Sequence, residues 1–215
     1  MSVRLRLPRL YPILDTGMLE ARGFSAVRAA AAFLEGGAGI LQFRHKTHWS
    51  RAVFDAANEI ARLAREAGAL LVINDRADIA VLLEAGLHLG QDDLPVRDAR
   101  RLVGSDAVIG FSSHNAAQAS AASGEMVDYV AFGPVFPTAS KRNPDAVTGI
   151  EGLRECCALV DKPLVAIGGI TRERAREALA AGADTVAVIA DLLPAELSSQ
   201  SLRERMEEWQ RLLAR

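Results

Sequence analysis

Two cations and an amide follow one apolar segment of the sequence at alternate positions. The segment ILQFRHK places Gln42, Arg44 and Lys46 two residues apart. Such residues share one face of an extended chain, because successive side chains of a β-strand point to opposite sides. Arginine offers a planar pair of donors and lysine a compact charge, so the three side chains predict a site for a multiply charged anion. The alternative is a solvated strand end whose cations form ordinary salt bridges.

Carboxylates follow the next two apolar segments. Asn74 and Asp75 close the apolar run of LLVINDRADIA, and Asp93 closes LHLGQDD. Two carboxylates brought to one place would repel each other unless a cation lay between them. Magnesium takes one or two protein carboxylates and completes its octahedron with water and substrate phosphates, so we predict Asp75 and Asp93 as Mg²⁺ ligands. The alternatives are that Asp75 pairs with Arg76 and that Asp93 caps the helix after Pro95.

Two histidines accompany these residues. His88 lies within an apolar run, where a histidine is more often a hydrogen-bonded core residue than a catalyst. His114 follows Ser112 and Ser113 in VIGFSSHN, which invites a hydrolase interpretation. Adjacency in sequence is not the geometry of a catalytic triad, and the sequence lacks the nucleophile-elbow pattern. Contacts from the hydroxyls to an anion are therefore the better interpretation, and His114 could equally cap the next helix.

A long polar segment follows the sixth apolar run. The stretch DYVAFGPVFPTASKRNPDAVTG is stiffened by prolines, and Thr138, Ser140 and Lys141 add two hydroxyls and a cation. Such a segment, here 132–149, is typical of one that covers a substrate. The seventh run ends in VAIGGI, whose glycines would let backbone N–H groups approach a second anion.

The elements that must position these residues alternate along the chain. Segments such as LAREAGALLVI and ALAAGADTVAVI run from a helix-forming stretch through a glycine into a short apolar strand. Ser25, Ser50 and Thr171 are the expected N-caps of their helices. We predict strands near 10–14, 39–44, 70–74, 86–89, 107–111, 127–133, 163–167 and 184–189, and helices near 24–36, 50–67, 76–84, 97–103, 115–122, 150–159, 171–181 and 200–214.

Eight such units predict an α/β protein, a single-domain (β/α)8 TIM barrel with a parallel eight-stranded core over residues 1–215. Near-continuous apolar strands are typical of a parallel sheet covered by helices, and about 27 residues per unit gives a compact barrel. Active sites of this fold lie at the C-terminal ends of the strands, and the loops after strands seven and eight commonly bind phosphate. All the polar residues described above would therefore meet at one mouth.

Composition excludes several classes of function. The chain has 215 residues, of which 50% are hydrophobic and 24% charged, and its net charge of -2 gives no field that would attract nucleic acid. The amino-terminal MSVRLRLPRLYPIL lacks the apolar block of a secretion signal, and no run approaches the ~18 apolar residues of a membrane span. We therefore expect a cytoplasmic protein without nucleic-acid or membrane partners. The adjacent Cys156 and Cys157 suit neither a metal site nor a disulfide and are interpreted as packing residues.

The sequence resembles the thiamine-phosphate synthase family over nearly its whole length, from LYPILD to GADTVAVIA. The matching blocks are QFRHK, VINDRADIA, HLGQDDLP, IGFSSH, YVAFGPVFPTASK and VAIGGI, in the family's order and spacing. The resemblance implies a (β/α)8 barrel enzyme that joins hydroxymethylpyrimidine diphosphate to a thiazole phosphate and releases diphosphate with Mg²⁺. Its partners would be small phosphorylated molecules, and a homodimer is possible.

Residue by residue, the resemblance assigns three sets of positions. Asp75 and Asp93 would hold magnesium. The pyrimidine diphosphate would contact Gln42, Arg44, Lys46, Asn74, Ser112 and Lys141, and the catalytic charges among these are Arg44, Lys46 and Lys141. The thiazole phosphate would contact Thr138, Ser140, Gly169 and the backbone at Ile189 and Ala190. The family usually has threonine in place of Ser140 and serine in place of Ala190; the second change loses a hydroxyl, so weaker binding of the thiazole phosphate is expected.

Three alternatives stand beside the synthase. A thiazole tautomerase has the same barrel and would use acid–base residues such as His114, but it has no evident need for the cations and the two carboxylates. A non-catalytic protein that binds thiamine precursors would keep a phosphate site without turnover. The fold alone would also allow another phosphosugar enzyme, although the blocks FGPVFPTASK and QFRHK argue against it.

Overall fold

Eight parallel strands close into a barrel in the computed structural model, which describes residues 5–138 and 145–214. Each strand pairs with the next along the chain, and the last pairs with the first. The strands are β1 (Leu10–Asp15), β2 (Ile40–Arg44), β3 (Leu70–Asn74), β4 (Gly86–Leu89), β5 (Ile109–Ser113), β6 (Tyr129–Phe132), β7 (Leu164–Ala166) and β8 (Thr185–Val188). The predicted TIM barrel is confirmed, and every predicted strand lies where the sequence pattern placed it.

Helices cover the outside of the barrel. They are α1 (Thr16–Glu20), α2 (Ala26–Glu35), α3 (Arg51–Glu66), α4 (Ala77–Leu82), α5 (Val96–Val103), α6 (Ala116–Ser123), α7 (Gly149–Leu159), α8 (Arg172–Ala180) and α9 (Ser199–Leu213), with a 3-10 turn at Ala190–Leu192. The sequence pattern predicted all of them except α1 and the 3-10 turn. Both are too short to show a helical periodicity.

Side-chain caps begin several helices. The hydroxyl oxygen of Ser25 accepts a hydrogen bond from the backbone N–H of Arg28 at 3.4 Å, and that of Ser50 accepts one from Val53 at 3.3 Å. Thr171 lies at the N-cap of α8, but its side chain accepts no hydrogen bond from the helix, so that part of the cap prediction was wrong. No helix in the described ranges is long and apolar enough to cross a membrane.

The core has two layers separated by the sheet. Side chains that point inward fill the barrel, among them Tyr11 and Tyr129, while their strand neighbours point outward and pack beneath the helices. Gly110 on β5 makes room for the ring of Tyr129, since a Cβ there would lie 2.0 Å from Cζ of Tyr129. Cys156 is buried in α7 and Cys157 is partly buried; both are free thiols that pack against neighbours, as predicted.

Candidate active site

A cavity of about 1050 Å³ opens at the C-terminal ends of the strands. It is lined by every predicted site residue that the structure describes: Gln42, Arg44, Lys46, Asn74, Asp75, Asp93, Ser112, Thr138, Gly169, Ile189 and Ala190. Ser140 and Lys141 lie outside the described residues. The strand tips of a barrel meet at one mouth whatever their separation in sequence, and this is why residues from the ends of seven of the eight strands, β2 to β8, come together.

Both cations of the QFRHK segment have carboxylate partners. Arg44 donates to Asp15, the last residue of β1, and both side chains are largely buried. The register of β1 and β2 places these two residues directly opposite each other. Lys46 lies beyond the end of β2, where its Nζ is 2.5 Å from Oδ2 of Asp75. Sequence reasoning missed Asp15, although its position at the tip of LYPILD matched that of the other polar strand ends.

The two predicted metal carboxylates come from adjacent strand tips and lie close together. Burial raises the pKa of Asp75 above its ordinary value; Lys46 opposes this, and the negative charge of Asp93 adds to it. The Oδ2 atom of Asp93 accepts a hydrogen bond from the N–H of Gly90 at 2.6 Å. Neither of the two alternatives for these carboxylates occurs. Asp75 pairs with Lys46 and not with Arg76, and the side chain of Asp93 does not cap α5.

The geometry around these carboxylates sets what they could bind. Asp75 has a φ of 65°, a left-handed conformation that non-glycine residues seldom adopt and that is often found at functional sites. Beside it, Nδ2 of Asn74 is buried and has no hydrogen-bond partner within the described part of the chain. A buried donor of this kind calls for a partner that a ligand could supply. Within residues 5–138 and 145–214, no group of three or more acidic, histidine or cysteine side chains is arranged to hold a metal.

A chain of polar side chains crosses the barrel beneath the cavity. The amide nitrogen of Gln42 hydrogen-bonds to the hydroxyl of Tyr11, and this hydroxyl hydrogen-bonds to that of Tyr129. The hydroxyl of Tyr129 also hydrogen-bonds to one ring nitrogen of His88. The other ring nitrogen of His88 hydrogen-bonds to Ser112. His88 is therefore a hydrogen-bonded interior residue, as predicted. The tyrosines were missed because an aromatic residue in an apolar strand looks like ordinary core.

His114 is tied to the loop after β6. Its Nδ1 lies 2.7 Å from the carbonyl oxygen of Gly133 and 3.4 Å from Oδ2 of Asp145. It does not cap the following helix, because that place belongs to Asn115, whose side chain accepts from the N–H of Gln118 at 2.9 Å. The residue that could serve acid–base chemistry is thus held by backbone and carboxylate groups on the far side of the mouth.

Glycines after β7 bring two loops into backbone contact. The N–H of Phe136 donates to the carbonyl of Gly168 at 3.0 Å, so the loop after β6 lies against the loop after β7. Gly169 has a φ of 64°, and a Cβ there would lie 2.4 Å from the carbonyl oxygen of Pro137. Arg174 donates to the carbonyl of Gly169 at 3.0 Å from the first turn of α8. Together with the 3-10 turn after β8, these loops form a backbone-lined corner of the cavity.

Arg172 and Asp191 form a second charged group at this corner. Nε of Arg172 lies 3.1 Å from Oδ2 of Asp191, and another nitrogen of the same guanidinium lies 2.7 Å from Glu208. Burial raises the pKa of Asp191, while the nearby arginines oppose the shift. This ion-pair group fixes the 3-10 turn that begins at Ala190.

The fold and the cavity define a class of protein. This is a (β/α)8 barrel enzyme whose mouth combines cations and carboxylates on one side with glycine-containing loops on the other. Within that class, the chain belongs to the thiamine monophosphate synthase family, whose model matches residues 10–192.

Individual relatives agree with this family. The chain is 44% identical over 208 residues to a thiamine-phosphate synthase of Koribacter versatilis, a match that covers 94% of this chain and 98% of the relative. It is 40% identical to a thiamine-phosphate synthase of Chloroflexus aurantiacus, covering 91% and 90% of the two chains. Among solved structures, a thiamine phosphate pyrophosphorylase from Pyrococcus furiosus superimposes with a TM-score of 0.83 at 34% identity, covering 96% of this chain and 95% of that one.

Proposed function

We propose that the protein is a synthase that joins 4-amino-2-methyl-5-hydroxymethylpyrimidine diphosphate to thiazole phosphate, giving thiamine phosphate and diphosphate. One observation carries the proposal: in a member of this family, one cavity is lined on one side by the tips of β2, β3 and β4 and on the other by the tips of β7 and β8. The first side offers cations and carboxylates. The second offers backbone N–H groups suited to a single phosphate.

The diphosphate would bind where the cations are. Arg44 is held by Asp15 and so needs little ordering to form paired hydrogen bonds with phosphate oxygens. Lys46 is about half exposed and can turn from Asp75 toward an anion. Lys141 would reach the same group from the loop after β6, and this assignment rests on the family resemblance alone. The three charges would stabilise the departing diphosphate.

The carboxylates fit a magnesium ion. Asp75 and Asp93 lie side by side, and their mutual repulsion and burial favour a cation between them. Two protein oxygens are few for a closed metal site, but Mg²⁺ commonly takes the rest of its octahedron from water and substrate phosphates. When bound, the ion would offset negative charge on the diphosphate. Lys46 would then be released from Asp75 to contact the substrate.

The reaction needs no nucleophile from the protein. The carbon–oxygen bond to diphosphate breaks with its electron pair leaving on oxygen, and the electron-rich aminopyrimidine supports the cation that develops at its methylene carbon. The thiazole nitrogen then supplies the pair for the new carbon–nitrogen bond. The residues of the cavity act by holding both rings in line and by stabilising charge on the leaving group.

The thiazole phosphate would lie against the glycine-rich corner. Gly169 and the backbone at Ile189 and Ala190 would approach its oxygens, with Thr138 and Ser140 adding hydroxyls. A serine in place of Ala190 would add a hydroxyl at the turn that follows β8. A cytoplasmic location, a single domain over residues 1–215 and a homodimer stay predictions from the sequence.

The test is to measure diphosphate release together with thiamine phosphate formation from both precursors, with and without Mg²⁺. We expect product only with the ion, and a fall in turnover of about 10² or more in Asp75→Asn and in Lys141→Ala, the usual scale for removing one electrostatic stabiliser. Asp78→Asn is the matched control, because that exposed carboxylate pairs with Arg76 and lies outside the cavity. Near-normal turnover in both test variants would refute this mechanism.

The same assay separates the other functions. Tight binding of thiazole phosphate without product would favour the tautomerase or a non-catalytic binding protein over the synthase. His114→Ala would then be the next variant, since loss of double-bond migration in it would identify the tautomerase.

A further inference from the structure

The polar chain beneath the cavity links two proposed ligand residues through the interior of the barrel. Nε2 of Gln42 lies 3.0 Å from the hydroxyl of Tyr11, and the hydroxyls of Tyr11 and Tyr129 are 2.9 Å apart. The hydroxyl of Tyr129 lies 3.0 Å from Nδ1 of His88, and Nε2 of His88 lies 2.8 Å from Oγ of Ser112. Four of the five side chains are buried, so water does not compete for most of these bonds.

The hydrogens in this chain have one order that satisfies each bond. An amide nitrogen can only donate, so Gln42 donates to Tyr11. Tyr11 then donates to Tyr129, and Tyr129 donates to Nδ1 of His88. The hydrogen of a neutral imidazole must therefore be on Nε2, which donates to Ser112. In the reverse order Tyr11 would accept from both neighbours and its own buried hydrogen would lose Tyr129 as its acceptor, which is costly.

Both tyrosines stay protonated donors across the physiological range. Burial raises the pKa of Tyr11 and of Tyr129 above the ordinary value. Each hydroxyl therefore keeps its single hydrogen and can donate only one bond at a time. The direction at one end of the chain consequently fixes the direction at the other.

We propose that Tyr11, Tyr129 and His88 are positioning residues. They fix which hydrogen-bonding group, donor or acceptor, is turned toward the ligand by Gln42 and Ser112, the two side chains that form the cavity floor. With its amide nitrogen held by Tyr11, Gln42 presents its carbonyl oxygen as an acceptor. With its oxygen accepting from His88, Ser112 presents its hydroxyl hydrogen as a donor. This inference rests on the proposed function, in which both side chains contact the pyrimidine substrate.

The fixed polarity selects one chemical form of the pyrimidine. A 4-amino group donates to the carbonyl oxygen of Gln42, whereas a 4-oxo group at the same place would set one acceptor against another. The floor therefore rejects the 4-oxo analogue, since a mismatched polar group in a buried site leaves both partners unpaired. The Tyr129→Phe change removes the acceptor of the Tyr11 hydrogen, which can then turn toward Gln42. The amide of Gln42 is free to flip and present its nitrogen, so the variant should bind the oxo form relatively better.

The first experiment measures binding of the pyrimidine diphosphate and of its 4-oxo analogue by calorimetry, without thiazole phosphate so that no reaction occurs. We expect the wild type to prefer the amino form by about 100-fold or more, and Tyr129→Phe to lower that ratio about tenfold. Thr185→Val is the matched control: it also removes a buried hydroxyl bond, to the carbonyl of Pro8 at the other end of the barrel, and should leave the ratio unchanged. If Tyr129→Phe does not fold, Tyr11→Phe tests the same link.

The second experiment observes the histidine directly. Long-range proton–nitrogen NMR spectra show which ring nitrogen carries the hydrogen, and with four histidines in the chain, His88→Gln assigns the signals. We expect hydrogen on Nε2 in the wild-type protein. Hydrogen on Nδ1, or an unchanged binding ratio in the tyrosine variants, would overturn the inference. A wild type that binds neither pyrimidine would instead refute the proposed function, while the NMR result would still decide the order of the hydrogens.

Discussion

The contact between the loops after β6 and β7 predicts an unusually large penalty for a small substitution. Gly169→Ala adds one methyl group to a residue with a φ of 64°. The new Cβ would lie 2.4 Å from the carbonyl oxygen of Pro137 and 2.8 Å from atoms of Phe136. An ordinary contact needs about 3.4 Å or more, so one loop must move by about 1 Å, and overpacking of this kind typically costs about 1–3 kcal/mol.

Gly23→Ala is a matched control for the conformational part of this penalty. Gly23 has the same φ of 64°, but a Cβ there would meet nothing within 4 Å. Both substitutions incur the left-handed strain of about 1–2 kcal/mol, and both gain about 0.4–1 kcal/mol by restricting the unfolded chain. The difference between the two variants therefore isolates the collision of the loops.

Urea unfolding followed by circular dichroism measures both variants. We expect the free energy of unfolding to fall about 1–3 kcal/mol further in Gly169→Ala than in Gly23→Ala. In the synthase assay, Gly169→Ala should also raise the KM for thiazole phosphate and leave that for the pyrimidine diphosphate nearly unchanged. Equal stabilities of the two variants would refute the argument, because the loops would then have room for a side chain that the structure denies them.

Three further outcomes follow from the site. Without metal, Asp75→Asn should raise the urea midpoint at pH 7. Burial raises the pKa of the Asp75 carboxyl in the folded protein, so its ionisation at any pH above the pKa of the unfolded chain destabilises the fold. The gain in the variant should therefore vanish below about pH 3.9, the ordinary pKa of an aspartate. In the wild type, the Mg²⁺ concentration that gives half-maximal activity should rise as pH falls through the raised pKa, since protons compete with the ion; a flat profile would contradict this. Ala190→Ser should lower the KM for thiazole phosphate by restoring a hydroxyl, and an unchanged KM would count against that role.

Much of the barrel could be predicted because its signals are local. A glycine after a helix and a short apolar run are features of neighbouring residues; four segments of the chain show both, and the other strands were located by reading outward from these four. The site followed from the fold, since the tips of parallel strands in a closed barrel must meet. Their positions at strand ends were therefore enough to predict one shared site for Gln42, Arg44 and Asp75, without any known distance between them.

The features that were missed depend on the pairing register of the strands and on which side chains meet inside the barrel. Neither can be read from the sequence. Asp15 partners Arg44 because β1 and β2 pair with these residues opposite each other. Tyr11 and Tyr129 meet across the barrel although 118 residues separate them, and nothing in an apolar strand marks a tyrosine whose hydroxyl will find a partner. The helix α1 has five residues, too few for a periodic pattern, and depends on the side chain of Asp15 accepting from Met18.

The ion pairs of Arg44 with Asp15 and of Lys46 with Asp75 also bear on how fast a ligand arrives. These two described cations each face a carboxylate already, and the chain as a whole carries a net charge of only -2. An approaching diphosphate is therefore drawn by little long-range field, and its positive partners act only after it has entered the cavity. The association rate constant should then have an ordinary diffusive value that depends weakly on ionic strength. The attraction between the cations and the diphosphate should instead lower the dissociation rate constant.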